Sequence, residues 1–456
     1  MNGIFAFMEK YFVPVAAKIG SQKHLVALRD AFIGTMPATM AGAIAVMINA
    51  IIRDLPTEFW SNYNGNEIAV IKDIIAVNGI VWQGTLAIAG LIFAISLGYN
   101  LARTYKVNEL AGSLVSVAAL ISGISITAEL TSEAGEVVAG WGFLKVGHLG
   151  APAFFVVMLF GGLAVWIYSK LMLANITIKM PDSVPPAVSR AFAAIIPASV
   201  ALYVVAFIYW LFGKTLSSEA APMLIDWIQV KVAQPFLNLS QGMFAVLLVS
   251  FLVSLLWFFG LHGPNVLAPV LEGIWGQAQI ANVNTYQEGG MAAVKSAIEA
   301  GGGDAYLWVR ASFDAYAWYG GSGGTLVLIL LILVFSRRAD YRTVAKLSVG
   351  PGIFNINEPV MFGLPIVLNP MMVIPFTLAP LAATTIGYLA TSLGLVNPVV
   401  VPAVWVTPPF LLSFIATGAD WRAPIVTLVA FVVSALIWLP FVIAANAQKP
   451  AGGAEE

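Results

Sequence analysis

Glu358 lies in the run Gly352-Ile353-Phe354-Asn355-Ile356-Asn357-Glu358-Pro359-Val360-Met361-Phe362-Gly363-Leu364-Pro365-Ile366-Val367-Leu368-Asn369-Pro370. One carboxylate stands there among apolar side chains, three asparagines and three prolines. A carboxylate can take a proton or accept a hydroxyl hydrogen, and an amide can both donate and accept. A second break reads Trp257-Phe258-Phe259-Gly260-Leu261-His262-Gly263-Pro264-Asn265, and a third aromatic sits beside prolines in Pro402-Ala403-Val404-Trp405-Val406-Thr407-Pro408-Pro409. An apolar ring face with amide and carboxylate partners is how a neutral sugar would be gripped. Each residue also has a plainer reading. A lone histidine at a helix end commonly serves as a hydrogen-bonded structural group. Asparagines cap freed backbone groups, and tryptophans in spans commonly face lipid.

The surroundings raise the functional reading. The chain has 456 residues, of which 59% are hydrophobic and 10% charged, and its mean hydropathy is +0.88. Soluble domains carry roughly 25% charged residues, so this is an integral membrane protein. An ionisable group at membrane depth is costly and marks function. Irregular backbone survives there only when buried in protein or lining a wet cavity. The net charge of −1 gives no support for nucleic-acid binding. With no cysteine and three histidines, disulfides, thiolate chemistry and a metal cluster are not expected. There is no GxxxxGK[ST], HExxH or GxSxG motif, and no cofactor is expected. The first 22 residues lack the pattern of a cleaved leader.

About 20 apolar residues cross a bilayer as a helix. The hydropathy pattern predicts ten spans, at Ala31–Ile52, Ile74–Ala102, Ala111–Ala128, Val146–Ser169, Ala191–Phe212, Gly242–Leu261, Tyr316–Phe335, Met371–Leu393, Val396–Ala416 and Pro424–Ala445. Gly263–Gly273 and Gly350–Pro370 are apolar, short and interrupted, which predicts two re-entrant hairpins. Such a pair points to a transporter's substrate site. Gln277–Asp314 is polar enough to be an extramembrane excursion. The expected organisation is a five-span part with an amphipathic N-terminal helix (1–213), an interfacial helix and linker (214–241), a transport part (242–448) and a tail (449–456). Small residues four apart, such as Gly320 and Gly324, would permit close helix packing. Lys10, Lys18, Lys23 and Arg29 place the N-terminus in the cytoplasm by the positive-inside rule. Arg103, Lys106, Lys170, Lys179 and Arg190 agree with acidic Glu129, Glu133 and Glu136 outside. Simple alternation of ten spans then puts Arg337, Arg338, Arg342 and Lys346 outside, against the rule.

At these residues the chain resembles the membrane IIC component of bacterial phosphoenolpyruvate-dependent sugar phosphotransferase systems, in the lactose/cellobiose/diacetylchitobiose branch. The segments that carry the resemblance are 181–192, Trp257 to Gly263, Ser336 to Arg342 and Gly352 to Pro370. Among subfamilies the chain is most similar to the diacetylchitobiose-specific permeases, with cellobiose-specific ones next. The resemblance implies a homodimer in the bacterial inner membrane, with the first five spans at the dimer interface. It implies that Glu358 and His262 face the C6 hydroxyl of a β-linked disaccharide. Trp257 and Trp405 would be the sugar-packing aromatics and Asn357 a polar contact, with Gln83 in the Gln83-Gly84-Thr85 turn near the site. Pro152, in Gly147-His148-Leu149-Gly150-Ala151-Pro152, departs from the family's pattern, so contacts from that loop are not expected. Phosphoryl transfer needs a group to take the hydroxyl proton. Glu358 can be that base, and His262 can position the hydroxyl or stabilise charge on the incoming phosphoryl group. The donor implied is a phosphocysteine on a separate IIB protein, charged upstream by IIA, and the absence of cysteine here agrees with that.

On residues alone a second class remains open, a proton-coupled secondary sugar transporter in which Glu358 carries the proton. A channel or structural protein explains neither the broken helices nor the paired Glu358 and His262.

Overall fold

The structure, a computed structural model, describes Lys18 and residues 21–60, 62–131, 137–181, 183–218, 221–301, 303–364 and 366–446. The expected amphipathic N-terminal helix, Glu133 and Glu136, and the tail 449–456 lie outside the described residues.

The chain is helical, as composition requires. Among the described residues, six helices are long and apolar enough to cross a membrane. In chain order the elements are α1 (Lys23–Asn49), α2 (Ala69–Gln83), α3 (Ala89–Thr104), α4 (Glu109–Ser122), α5 (Ala153–Leu173), α6 (Pro186–Thr215), α7 (Leu224–Ser240) and α8 (Met243–Phe258). They continue as α9 (Gln277–Ala300), α10 (Arg310–Tyr316), α11 (Thr325–Phe335), α12 (Ala339–Ile353), α13 (Glu358–Gly363), α14 (Pro370–Ser392), α15 (Pro409–Ala416) and α16 (Arg422–Ala445). Polar side chains set several helix starts. Gln22 accepts from Leu25 N, Asn108 from Ala111 N and Asn369 from Met371 N. The stretch 214–241, expected as an interfacial helix and linker, contains α7, which meets α8 at 78°.

Four expected spans are interrupted, each for a local reason. Ile74–Ala102 is two helices, because α2 ends on Gly84 and Thr85 turns its hydroxyl back to Val81 O at 2.6 Å. Ala111–Ala128 ends as helix at Ser122. A two-stranded antiparallel hairpin, Thr127–Thr131 with Val137–Trp141, follows. Within Tyr316–Phe335 the chain unwinds between α10 and α11, where Gly320, Gly321, Gly323 and Gly324 all take positive φ. Gly320 and Gly324 are therefore turn residues, not a packing pair on a helix. Val396–Ala416 is helical only over Pro409–Ala416, because Pro398, Pro402 and Pro408 remove backbone donors.

The polar stretch Gln277–Asp314 is buried in the protein at both of its ends. Gln277, Gln279, Asn282, Trp308 and Phe313 are buried. Asn282 Nδ2 donates to Tyr306 O and Val399 O, both at 2.9 Å, so buried partners satisfy its polarity.

This burial also resolves the charge conflict. Gln241, just before α8, accepts from Tyr388 OH and from Trp308 N. The returning helix α9 bonds Tyr306 and Val399 near the same end. Thus α8 and the helical run 263–300 enter and leave by one face, as a long hairpin with its tip at Phe259–His262. Tyr286 OH on α9 donates to Asp54 at 2.6 Å, which puts the end of α1 on that face and Lys23 on the other. Asn397 N donates to Asp420, so α16 begins there too. Its far end, Asn446, bonds Phe335 O and Arg337 N. His24 meets Tyr105 OH, and Lys170 lies over the Tyr105 ring. Lys23 at the start of α1, Lys170 and Arg337 therefore share a face.

Two further excursions close on the same centre. From the basic face, α12 runs inward and α13 folds back along it, with Gly363 against Val344. From the opposite face, residues 397–416 enter and return, with Val400 N and Val401 N donating to Ala416 O.

At Gly323, φ is +90° and an added Cβ would lie 2.1 Å from the Phe376 ring. Gly350 sits in α12 with nothing within 4 Å of an added Cβ. Gly323→Ala is expected to destabilise the detergent-solubilised protein by about 1–3 kcal/mol or more. Gly350→Ala is expected to be neutral or stabilising by about 0.5–1 kcal/mol. Thermal unfolding of the two variants side by side checks this.

Candidate functional site

The three excursions converge on a cavity of about 450 Å³, within the size range of small-molecule sites. Its walls come from the tip of the α8 hairpin, the turn after α10, the α12–α13 turn, the 397–408 segment and one side of α1.

Each tip is built from unwound backbone, and side chains complete its hydrogen bonds. Asn355 takes φ +62°, a conformation that asparagine tolerates better than most residues. Its Oδ1 accepts from Gly320 N at 2.8 Å, and its Nδ2 donates to Trp405 O at 2.7 Å and Thr407 O at 2.9 Å. Asn357 Nδ2 donates to Ser322 O at 3.0 Å. Leu368 N donates to Phe258 O at 3.0 Å and ties two tips together. Asn355 and Asn369 thus do the capping work that the sequence allowed. Asn357, buried in the cavity wall, also gives an amide hydrogen to backbone.

Glu358 opens the short helix α13, with Pro359 following it. Its Oε1 lies 4.0 Å from His262 Nε2, and both side chains are partly exposed to the cavity. His262 Nδ1 accepts from Asn265 N at 3.2 Å, so it caps the returning helix. A neutral imidazole has one donor and one acceptor nitrogen. That cap therefore leaves the ring proton on Nε2, aimed toward Glu358. Trp257 packs its ring 4.6 Å from the His262 ring, is itself buried, and lines the cavity. Trp405 lines it from the opposite segment. The arrangement offers a proton acceptor, a proton donor and two aromatic faces around one polar group of a ligand.

The structure brings Glu358, His262, Asn357, Trp257 and Trp405 together. Gln83 is not with them. It is exposed at the end of α2, and the break after it turns Leu86 into the cavity instead. His148, in the loop that carries Pro152, is buried against Asp226 at 2.8 Å, outside the cavity lining. Sequence reading missed Glu272, Gln279, Arg310, Asp314 and Trp318, which line the far side. A signal existed for Glu272: it is a lone acid in the apolar run Leu271-Glu272-Gly273-Ile274-Trp275 and meets the same criterion that picked out Glu358.

A family model described as "Phosphotransferase system, EIIC" matches residues 29–380. The PTS system cellobiose-specific EIIC component of Lactococcus lactis subsp. lactis (strain IL1403) is 50% identical, over 98% of each chain. The PTS system oligo-beta-mannoside-specific EIIC component of Bacillus subtilis (strain 168) is 32% identical, over 96% of this chain and 93% of that one. In three dimensions the chain matches the crystal structure of the transporter ChbC, the IIC component from the N,N'-diacetylchitobiose-specific phosphotransferase system. The TM-score is 0.85 at 30% identity, over 97% of this chain and 98% of that one.

Removing the Asn355 amide strands three backbone groups at once, each costing about 1–3 kcal/mol when buried and unpaired. Asn355→Ala is expected to lower the unfolding temperature and to abolish ligand binding together. Glu358→Gln is expected to leave the unfolding temperature near wild type. Thermal unfolding in detergent, read with and without ligand, checks both.

Proposed function

This chain belongs to the phosphotransferase-system EIIC family, and from that premise we propose that it imports a β-linked disaccharide of the cellobiose/diacetylchitobiose class and presents its C6 hydroxyl for phosphorylation. As an EIIC permease it is a multi-pass membrane protein that works with sugar and with the system's partner proteins. The 50% identity to a cellobiose-specific EIIC favours cellobiose among these sugars, and the fold match to a diacetylchitobiose IIC keeps the acetamido analogue in the same class.

The observation that carries this reading is the Glu358–His262 pair, 4.0 Å apart at the meeting of two hairpin tips and packed beside Trp257. A sugar ring laid between Trp257 and Trp405 brings its primary hydroxyl to that pair. The hydroxyl oxygen attacks phosphorus on a cysteine of a phosphorylated IIB protein. The new O–P bond forms as the S–P bond breaks, the thiolate leaves, and the hydroxyl proton passes to the Glu358 carboxylate. The Nε2 proton of His262 orients the hydroxyl or meets the charge of the incoming phosphoryl group. This chain has no cysteine, so the donor is another chain, charged in turn by IIA.

We assign residues 1–213 to a dimer-forming part and 242–448 to the part that carries sugar, joined through 214–241. The positive-inside rule makes the basic face of Lys23, Lys170 and Arg337 cytoplasmic in the bacterial inner membrane. The N-terminus then lies inside, and phospho-IIB approaches from that face.

The test is uptake into sealed vesicles with phospho-IIB supplied inside and 6-phosphorylated disaccharide as the readout. Glu358→Gln is expected to cut the phosphorylation rate by about 10²–10⁴-fold, the usual contribution of a positioned base. Full-rate uptake and phosphorylation by this variant would remove Glu358 from its role. Accumulation of unmodified sugar without IIB would favour proton coupling instead.

A further inference from the structure

We propose that Tyr286, Asp54 and Arg53 form a latch that holds the sugar-carrying part against the dimer-forming part in the position seen here, and that must open for the sugar to move. The proposal rests on the assignment of residues 1–213 and 242–448 to two parts, and on their shifting relative to each other.

Among the described residues, one hydrogen bond joins 1–213 directly to 242–448. Tyr286 OH on α9 donates to Asp54 Oδ2 at 2.6 Å. Apolar side chains supply further contacts. Val46, Ala50 and Leu86 join a core built mainly by 242–448, and Ile280 joins one built mainly by 1–213. Apolar surfaces can slide, because the hydrophobic effect has no direction to satisfy. A hydrogen bond weakens steeply as it lengthens or bends. A shift of one helical turn along α1, about 5.4 Å, would break it.

Each partner is fixed within its own part. Asp54 ends the turn Ala50–Asp54 that follows α1. Asn78 Nδ2 on α2 donates to Asn49 Oδ1 at 2.7 Å, and Tyr63 OH donates to Ile52 O, so this end of α1 is tied within 1–213. Tyr286 is buried one turn after Asn282, which donates to Tyr306 O and Val399 O. The bond thus crosses the seam between the parts, at the face away from Lys23. None of Arg53, Asp54 and Tyr286 lines the cavity, so the latch is separate from the sugar's contacts.

Arg53 makes the latch reversible. Its Nε donates to Asp54 Oδ1 at 2.6 Å, and its Nη2 donates to Asp54 Oδ2 at 3.0 Å. The two residues are neighbours in the chain and travel together. When the phenol leaves, the carboxylate keeps its counter-charge, and the heavy cost of an unpaired buried charge does not arise. Opening therefore breaks one hydrogen bond to a charged group and no ion pair. Such a bond is stronger than one between neutral groups. It is enough to bias an equilibrium between two positions and still open in every cycle.

The chain has no cysteine, so an introduced thiol is the only one present. Ala50 opens the turn that ends in Asp54 and is buried at the seam, whereas Ala119 is buried inside 1–213. The experiment is the rate of N-ethylmaleimide labelling of Ala50→Cys and of Ala119→Cys in purified full-length protein, each with and without Tyr286→Phe. Tyr286→Phe is expected to speed labelling at Ala50→Cys by about tenfold or more, the equilibrium shift for losing a hydrogen bond to a charge, and to leave Ala119→Cys within about twofold. An unchanged rate at Ala50→Cys, or an equal rise at both sites, overturns the proposal. This arm uses no sugar, so it holds whichever disaccharide is carried. A second arm bridges the double variant Asp54→Cys, Tyr286→Cys with a reducible bifunctional thiol reagent, in sealed vesicles with phospho-IIB inside. The bridged protein is expected to bind cellobiose as the unbridged form does and to lose uptake, which dithiothreitol restores. Full-rate uptake by the bridged protein would overturn the latch and the two-part reading together. Uptake lost on bridging, with labelling at Ala50→Cys unmoved by Tyr286→Phe, would overturn the latch alone.

Discussion

Peptide groups have no water to bond inside a bilayer, so every stretch of unwound chain there must find its partners within the protein. Three unwound stretches meet in this molecule, and asparagine amides hold them. Asn355 alone joins the turn after α10 to the segment that carries Trp405. Asn357, the residue before Glu358, bonds to that same turn at Ser322 O. Without those bonds the tips would carry stranded donors and acceptors, and the cavity between them would have no fixed shape.

The same residues that satisfy the backbone set the chemistry. The Nδ1 of His262 is committed to capping a helix, which leaves Nε2 to carry the proton that faces Glu358. Trp257 is held under that ring by burial, and its Nε1 has no hydrogen-bond partner among the described residues. Preorganisation of this kind supports the proposed phosphoryl transfer, in which a protein contributes chiefly position and charge. It also couples stability to function, because a residue such as Asn355 cannot be changed for one without the other.

The hairpins settle the arrangement of charge as well. If α8 crossed completely, the arginines after α11 would lie on the wrong face. Because α8 turns at Phe259–His262 and the chain returns through α9, Arg337 joins Lys170 and the start of α1. The polar residues of α9 are the means of that return. Asn282 binds backbone at both Tyr306 and Val399, so the segment can be buried despite its composition.

Much was legible in the residues alone. Membrane class follows from composition, because few charges and long apolar runs leave no other solvent. The breaks at His262 and Glu358 follow from Gly, Pro and Asn, whose backbone preferences are local. What the sequence left open was which breaks meet. The ends of Gln277–Asp314 read as solvated because hydropathy does not see that they fold back on each other and on Val399 and Gln241, and Val396–Ala416 read as a span because hydropathy is blind to the order in which prolines remove donors. Gln83 and Leu86 stand three residues apart, and only the turn between α2 and α3 decides which one reaches the cavity. Local chemistry determined what each segment could be. Burial against distant segments, which alone satisfies a buried charge or an unwound peptide, decided what the site contains.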